Sequence, residues 1–83
     1  MIRVQFFARY REALGCGEER LVWEPDLASV GDLRKRLVQR GGLWAETLGE
    51  QGLMCARNEE LCGLAEPLRD GDEVAFFPTV TGG

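Results

Sequence analysis

The sequence predicts a single small α+β domain in which a mixed sheet packs on one main helix. Two segments with strand periodicity precede an amphipathic helical segment, and further short strand segments follow it. Strands and helices are therefore grouped along the chain rather than strictly alternating, which favours α+β over α/β. A length of 83 residues is enough for one domain.

The first two strands are predicted close to the start of the chain. Residues 2–8 alternate between apolar and polar, as a half-buried strand does. The face expected to be buried carries Ile2, Val4 and Phe6. A short helical turn over residues 9–14 is predicted to end at Gly15. A second strand over residues 19–24, antiparallel to the first, is predicted to stop at Pro25.

The main helix is predicted to begin after Ser29, with Asp32 completing a capping box. Its apolar stripe has the spacing i, i+3, i+7 and consists of Val30, Leu33 and Leu37. Gly41 is expected to stop the helix, and a further short helix is predicted over residues 43–48. We interpret the basic residues of the main helix as a solvated face, with docking of a partner as the alternative. They are Arg34, Lys35, Arg36 and Arg40.

The remaining strands are predicted in the second half of the chain. Residues 52–57 form a strand candidate, followed by a turn at Asn58 and a short extended segment at residues 61–62. The dipeptide at residues 70–71 is Asp-Gly, a strong turn signal. It leads into the last strand, residues 73–77, which the following proline ends.

Composition excludes several classes of function. The net charge of −4 argues against nucleic-acid binding, which depends on Lys and Arg neutralising phosphates. No apolar run is long enough to cross a membrane and no export signal is visible, so we expect a cytoplasmic protein. The chain has no histidine, and its three cysteines are too few for an iron–sulfur cluster. We therefore expect no tightly bound cofactor and no metal site.

The acidic residues are concentrated in the last third of the chain, and two interpretations of them remain open. They form either a docking surface for a basic partner or a solvated face. The residues are Glu59, Glu60, Glu66, Asp70, Asp72 and Glu73.

Four segments of the chain carry a family resemblance. They are MIRVQFFARYREALG at residues 1–15, SVGDLRKRL at 29–37, CARNEEL at 55–61 and PLRDGDEVAFFPTVTGG at 67–83. Together they resemble the small subunits of molybdopterin synthase, which are ubiquitin-like sulfur carriers. The resemblance covers the whole chain and is closest at its two ends.

The resemblance implies a β-grasp domain over residues 1–78 and a flexible C-terminal tail over 79–83. It implies that an ATP-dependent activating enzyme adenylates the carboxylate of Gly83, which then becomes a thiocarboxylate. The sulfur would pass to a cyclic pyranopterin precursor held by the large subunit, in a heterotetramer of small and large subunits. ATP would be used by the activating enzyme and not bound tightly by this chain.

The tail has a composition that suits this role. The tail residues that would lie in a channel of the partner are Thr79, Val80, Thr81 and Gly82. Five extended residues reach at most about 17 Å, enough to enter a deep pocket. Glycine has no Cβ atom, so a narrow channel can close around the last two residues.

The alternation of the last strand also predicts a partner surface. Phe77 should lie opposite its buried neighbours, as Phe7 does in the first strand. In a β-grasp sheet these strands are adjacent, so both rings and Leu61 would form an exposed apolar patch. The resemblance implies that these three positions contact the large subunit. The alternative is that one phenylalanine of each pair only covers the sheet edge beneath a loop.

Two other functional interpretations remain open. The chain could be a related carrier for thiamin synthesis or tRNA thiolation, or a protein modifier, because these share the fold and the Gly-Gly end. It could also be a plain interaction domain with an inert tail.

Overall fold

A computed structural model describes residues 1–79 of the chain. Over these residues, five strands form one layer and three helices pack against it. The elements are β1 Ile2–Phe6, α1 Ala8–Leu14, β2 Glu18–Leu21, α2 Val30–Val38, α3 Gly42–Leu48, β3 Met54–Arg57, β4 Glu60–Cys62 and β5 Glu73–Phe77. None of the three helices combines the length and the apolar character needed to cross a membrane.

The five strands form one mixed sheet in the order β2-β1-β5-β3-β4. The central strands β1 and β5 are parallel, with Val4 opposite Val74, and the other three pairings are antiparallel. The first and last strands of the chain are therefore neighbours, as the β-grasp prediction requires. This topology confirms the predicted α+β class.

The core lies between one face of the sheet and the helices. The strand residues predicted to be buried are buried, as is the apolar stripe of α2. The largest fully buried side chains of the core are Tyr10, Phe6, Phe76, Ile2, Leu27, Leu33, Leu37 and Leu48. The Phe6 ring meets Trp44 of α3 edge to face, with ring centres 5.6 Å apart. Burying each such side chain contributes roughly 1.5–3 kcal/mol.

Helix α2 begins with the predicted capping box. The Ser29 hydroxyl accepts a hydrogen bond from the Asp32 amide at 3.1 Å, and the Asp32 carboxylate accepts one from the Ser29 amide at 3.1 Å. Two amides at the start of the helix, which lack partners within it, are satisfied in this way. The helix ends at Val38, three residues before Gly41, whose φ is +76°.

Strand β2 is shorter than predicted and ends at Leu21 instead of residue 24. Leu21 pairs with Ile2, the first residue of β1, so no further residue of β1 is available for pairing. Trp23 leaves the sheet, and its indole N–H donates to the Leu27 carbonyl at 3.1 Å.

The interpretation of the basic residues of the main helix as a solvated face is wrong for most of them. Arg36 pairs with acidic residues of the loop before α2. Arg40 pairs with Glu19, and its guanidinium lies 4.4 Å from the centre of the Trp44 ring. Arg36 of α2 and Arg40, which lies two residues beyond its end, thus contact neighbouring segments, and periodicity within one helix does not reveal such contacts.

Candidate functional site

The last described residues leave the sheet beside the loop that joins α3 to β3. Pro78 follows β5, and Thr79 is exposed. The Thr79 hydroxyl donates a hydrogen bond to the carbonyl of Gly52 in that loop. The other predicted tail residues, Val80, Thr81, Gly82 and Gly83, lie outside the described residues. The predicted division into a domain over 1–78 and a tail over 79–83 therefore stays a prediction.

Gly52 allows the close approach of Thr79. A Cβ atom at position 52 would lie 3.1 Å from the Thr79 hydroxyl oxygen, closer than most carbon–oxygen contacts of this kind. A side chain at this position would press against Thr79 and weaken its hydrogen bond. The start of the predicted tail thus depends on a glycine in a distant part of the sequence.

Arg34 of α2 fixes the loop that contains Gly52. Its Nε donates to the carbonyl of Leu48 and its terminal nitrogen donates to the carbonyl of Glu50, both at 2.6 Å. The planar guanidinium can make both bonds at once because its donors diverge in a fixed geometry. One carbonyl at the end of α3 and one in the loop after it are therefore held by a side chain of α2.

Helix α1 holds the same loop from the other side. The Glu50 carboxylate accepts hydrogen bonds from the Arg9 guanidinium and the Tyr10 hydroxyl. The bond from Arg9, and then that from Tyr10, lowers the pKa of Glu50. Burial, and then the bond to Glu50, raises the pKa of Tyr10 to about 12. Glu50 therefore anchors the loop twice, through its backbone carbonyl to Arg34 and through its carboxylate to α1.

An apolar patch occupies the sheet face that no helix covers. Phe7 is 44% exposed and Leu61 69% exposed, whereas Phe77 is half-buried. Met54, at 37% exposure, lies on the same face and was missed by the sequence analysis. We name these four residues the open-face patch. The alternation of β3, which buries Cys55, would have identified Met54.

The register shows how the open-face patch is assembled. The Phe7 amide donates to the Phe76 carbonyl at 3.2 Å, which places Phe7 beside the end of β5. Met54 pairs with Phe77 across β3 and β5. Leu61 lies on the next strand, β4, where it pairs with Ala56. The three predicted residues thus share one face, and their contact with a partner stays a prediction.

A shallow depression of about 440 Å³ adjoins this patch on the open face. It is lined by Arg3, Gln5, Phe7, Ala56, Glu59, Glu73 and Ala75. Its floor is formed by small side chains, since Ala56 and Ala75 are opposite each other on β3 and β5. Arg3 forms an ion pair with Glu73 at 3.3 Å at the rim. An apolar patch with a polar rim is typical of protein–protein interfaces.

Several acidic residues of the last third have partners within the molecule. Arg57 pairs with Glu66 at 3.1 Å and with Asp72 at 3.8 Å. Glu59 and Glu60 form no ion pair with any residue of 1–79. Neither open interpretation of the acidic region is thereby decided, but only part of it is available to a basic partner. Within residues 1–79, no group of three or more acidic or thiol side chains could hold a metal ion.

Comparison with known proteins identifies the family. The sequence profile of the ThiS family matches residues 4–83, nearly the whole chain. The chain belongs to the ThiS family. The matched range of this ThiS-family chain includes both the open-face patch and the last four residues, so the family resemblance is not confined to the folded core.

Individual relatives and similar structures cover equally large parts of this ThiS-family chain. The proteins named molybdopterin synthase sulfur carrier subunit of Haemophilus influenzae and Escherichia coli are each 42% identical to it over 83 residues, covering 100% of both chains. Small archaeal modifier protein 3 of Haloferax volcanii is 34% identical, covering 99% of this chain and 98% of that protein. A chain of the complex of subunits 1 and 2 of the molybdopterin-converting factor from Helicobacter pylori is 29% identical, with a TM-score of 0.67, covering 99% and 97%.

Proposed function

We propose that this chain is the sulfur carrier subunit of a molybdopterin synthase and that the carboxylate of Gly83 carries the sulfur. The observation that carries the proposal is the 42% identity to two such subunits over all 83 residues. In both comparisons the two chains align over their full length, so no segment of this chain lacks a counterpart in those subunits.

The chemistry of a carboxylate explains why such a carrier needs a partner for activation. A terminal carboxylate has an ordinary pKa of about 3.3–3.7 and is ionised at neutral pH, so it is a poor electrophile. An activating enzyme that uses ATP would convert it to an acyl-adenylate, from which AMP leaves when sulfur attacks. The resulting thiocarboxylate is a nucleophile that the carrier delivers to a cyclic pyranopterin precursor. The proposal places this reaction in the cytoplasm.

The large subunit would supply the reaction site, and the carrier would supply the sulfur and the docking surface. The open-face patch is the surface that we assign to this contact. Its four apolar side chains lie on one sheet face, and the depression beside them has a polar rim. The Helicobacter pylori complex of subunits 1 and 2 supports a partner of this kind. Thr79 and the residues after it would enter the partner, with the loop at Gly52 directing their departure.

The test is the loading of sulfur onto the full-length chain. Incubation with an activating enzyme, ATP and a sulfur donor should raise the intact mass by about 16 Da, because one terminal oxygen is replaced by sulfur. Deleting Gly83 should abolish both this gain and the formation of dithiolene with the large subunit. Far-UV circular dichroism should show that the deletion leaves the domain folded, because the described strands and helices are formed by residues 2–77.

A second variant extends the chain by one residue beyond Gly83. It retains every residue of the native sequence but moves the carboxylate away from Gly83, so it should gain no sulfur. Full dithiolene formation by the deleted or the extended chain would overturn the proposal.

The second candidate function is that of a protein modifier. The 34% identity to small archaeal modifier protein 3 supports it, and a modifier would use the same activated carboxylate to acylate lysines of other proteins. The two functions predict different partners. Capture with the loaded chain should yield a molybdopterin synthase large subunit if the first proposal is correct and isopeptide-linked proteins if the second is. Recovery of a thiazole synthase would instead indicate a carrier for thiamin synthesis.

A further inference from the structure

Two cysteine thiols lie side by side on adjacent strands. Cys55 of β3 and Cys62 of β4 are register partners, and their Sγ atoms are 3.8 Å apart. The Cys55 thiol donates to the Cys62 carbonyl at 3.2 Å. Opposite residues of antiparallel strands have Cα atoms about 4.5–5.5 Å apart, within the range of about 4.4–6.8 Å that a disulfide spans. The backbone therefore already suits a bond between these two residues.

The two thiols differ in their access to solvent. Cys55 is 3% exposed and belongs to the core, whereas Cys62 is half-buried on the edge strand. Cys62 lines a small surface hollow of about 30 Å³ together with Arg57, Leu61 and Glu66. Burial, and then the neighbouring Cys62, raises the pKa of Cys55 to about 12, so Cys55 stays a thiol at neutral pH. A reagent therefore meets Cys62 first.

The third cysteine of the chain provides an internal contrast. Cys16 lies beside β2 at the opposite edge of the sheet, and its thiol donates to the Glu18 carbonyl at 3.1 Å. No other thiol among residues 1–79 lies within contact of it. Pairing is thus a property of Cys55 and Cys62 and not of the cysteines in general.

We propose that Cys55 and Cys62 form a redox-active dithiol that a low-molecular-weight disulfide oxidises to an intramolecular disulfide. The Cys62 thiolate attacks one sulfur of the small disulfide, whose S–S bond breaks and releases one small thiol. In the mixed disulfide Cys62 carries no charge, so one cause of the raised pKa of Cys55 is gone. Cys55 gives its proton to solvent and attacks the Cys62 sulfur as the thiolate, and the second small thiolate leaves and takes up a proton. Two cysteines lose two electrons, and one small disulfide gains them. This site is independent of Gly83 and of the proposed carrier function.

The test uses the reduced full-length chain in a Cys16→Ala background, which leaves only the two thiols of interest. Oxidised glutathione should lower its mass by about 2 Da, and peptide mapping should show residues 55 and 62 joined. With Cys55→Ala added, a glutathione adduct of about 305 Da should persist on Cys62 because no second thiol displaces it. With Cys62→Ala added instead, Cys55 should remain unmodified. Dithiothreitol should restore the reduced mass of the first variant.

The matched controls keep the outcome decisive. Cys55→Val fills the core position with a side chain of similar size and replaces Cys55→Ala should that variant unfold. The same reaction in urea shows that the reagent oxidises these thiols when the strands are separated. Retention of both thiols in the folded Cys16→Ala chain, under conditions that oxidise it in urea, would overturn the proposal. So would a stable adduct on Cys62 that Cys55 never displaces.

Discussion

Arg34 shows how a single side chain can stabilise a loop without an ion pair. It donates to two carbonyls, those of Leu48 and Glu50. Replacing Arg34 with Ala should lower the free energy of unfolding by about 2–3 kcal/mol, because both half-buried carbonyls lose a charged donor. Arg34→Lys should recover only part of this loss, since an ammonium cannot reproduce the divergent donors of a guanidinium. Urea denaturation measures all three free energies.

Lys35 provides the matched control for this prediction. It is the next residue on α2, is exposed, and pairs with none of the acidic residues between positions 1 and 79. Lys35→Ala should change the free energy of unfolding by less than about 0.5 kcal/mol. If Arg34→Ala is as stable as Lys35→Ala, the two hydrogen bonds do not stabilise the fold.

Tyr10 couples the stability of the fold to alkaline pH. Its pKa is raised to about 12, above the ordinary value of about 10. Between these values the unfolded chain has released the tyrosine proton and the native chain has not. The contribution to stability is therefore complete below about pH 10 and is lost as pH rises towards 12.

Tyr10 is the only tyrosine of the chain, so its ionisation can be followed directly by ultraviolet absorbance. The native protein should titrate near about pH 12, and the urea-unfolded protein near about 10. In Tyr10→Phe the unfolding midpoint should fall less steeply above about pH 10, because the tyrosine proton is no longer involved. Titration of the folded protein near pH 10 would contradict the burial of the Tyr10 hydroxyl together with its hydrogen bond to Glu50.

At the scale of elements, the turn that joins β3 to β4 contains a residue whose backbone conformation is unfavourable. Asn58 and Glu59 both have positive φ, at 50° and 69°. Asn tolerates this region because of its short polar side chain, and here it also bonds the amide of Glu73. Glu gains no such compensation, so position 59 is strained.

Glu59→Gly should therefore raise the free energy of unfolding by about 0.5–1 kcal/mol. Glycine adopts positive φ without strain, which stabilises the native state. It also increases the conformational entropy of the unfolded chain, which reduces this stabilisation. Glu59→Ala is the control, because alanine loses the charge but keeps the Cβ atom. If alanine stabilises as much as glycine, charge and not backbone strain limits this turn.

The same scale shows how far the sequence predicts the structure. Alternation in β1 and β5 and the spacing in α2 predict burial correctly, because one element and its solvent are enough to decide it. The end of β2 depends on where its neighbour begins, so the prediction for residues 22–24 was wrong. Met54 of the open-face patch is predictable from the sequence, because it alternates with the buried Cys55 along β3. The contact of Gly52 with Thr79 joins residues 27 positions apart, which no local pattern reveals.

At the scale of the whole molecule, the two faces of the sheet make different contacts. One face packs on the helices, and the other carries the open-face patch. Phe7→Glu or Leu61→Glu should weaken binding to the large subunit by several kcal/mol if these side chains anchor the interface. Isothermal titration with the isolated large subunit measures the loss. Phe77→Glu should act in the same direction but is half-buried, so its stability must be measured alongside.

Leu43→Glu is the control on the helical side. Leu43 is 58% exposed on α3 and is as apolar as the patch residues. It should leave binding unchanged, because the open face alone is assigned to the partner. A loss as large as that of Leu61→Glu would mean that the partner contacts the helices instead.

The bond from Thr79 to Gly52 has a consequence for the geometry of any complex. It fixes the chain one residue beyond Pro78, so four residues remain between that point and the final carbonyl. Four residues span at most about 14 Å even when fully extended. Any centre that receives sulfur from Gly83 must therefore fall within a sphere of that radius around the anchor, unless docking first breaks the bond.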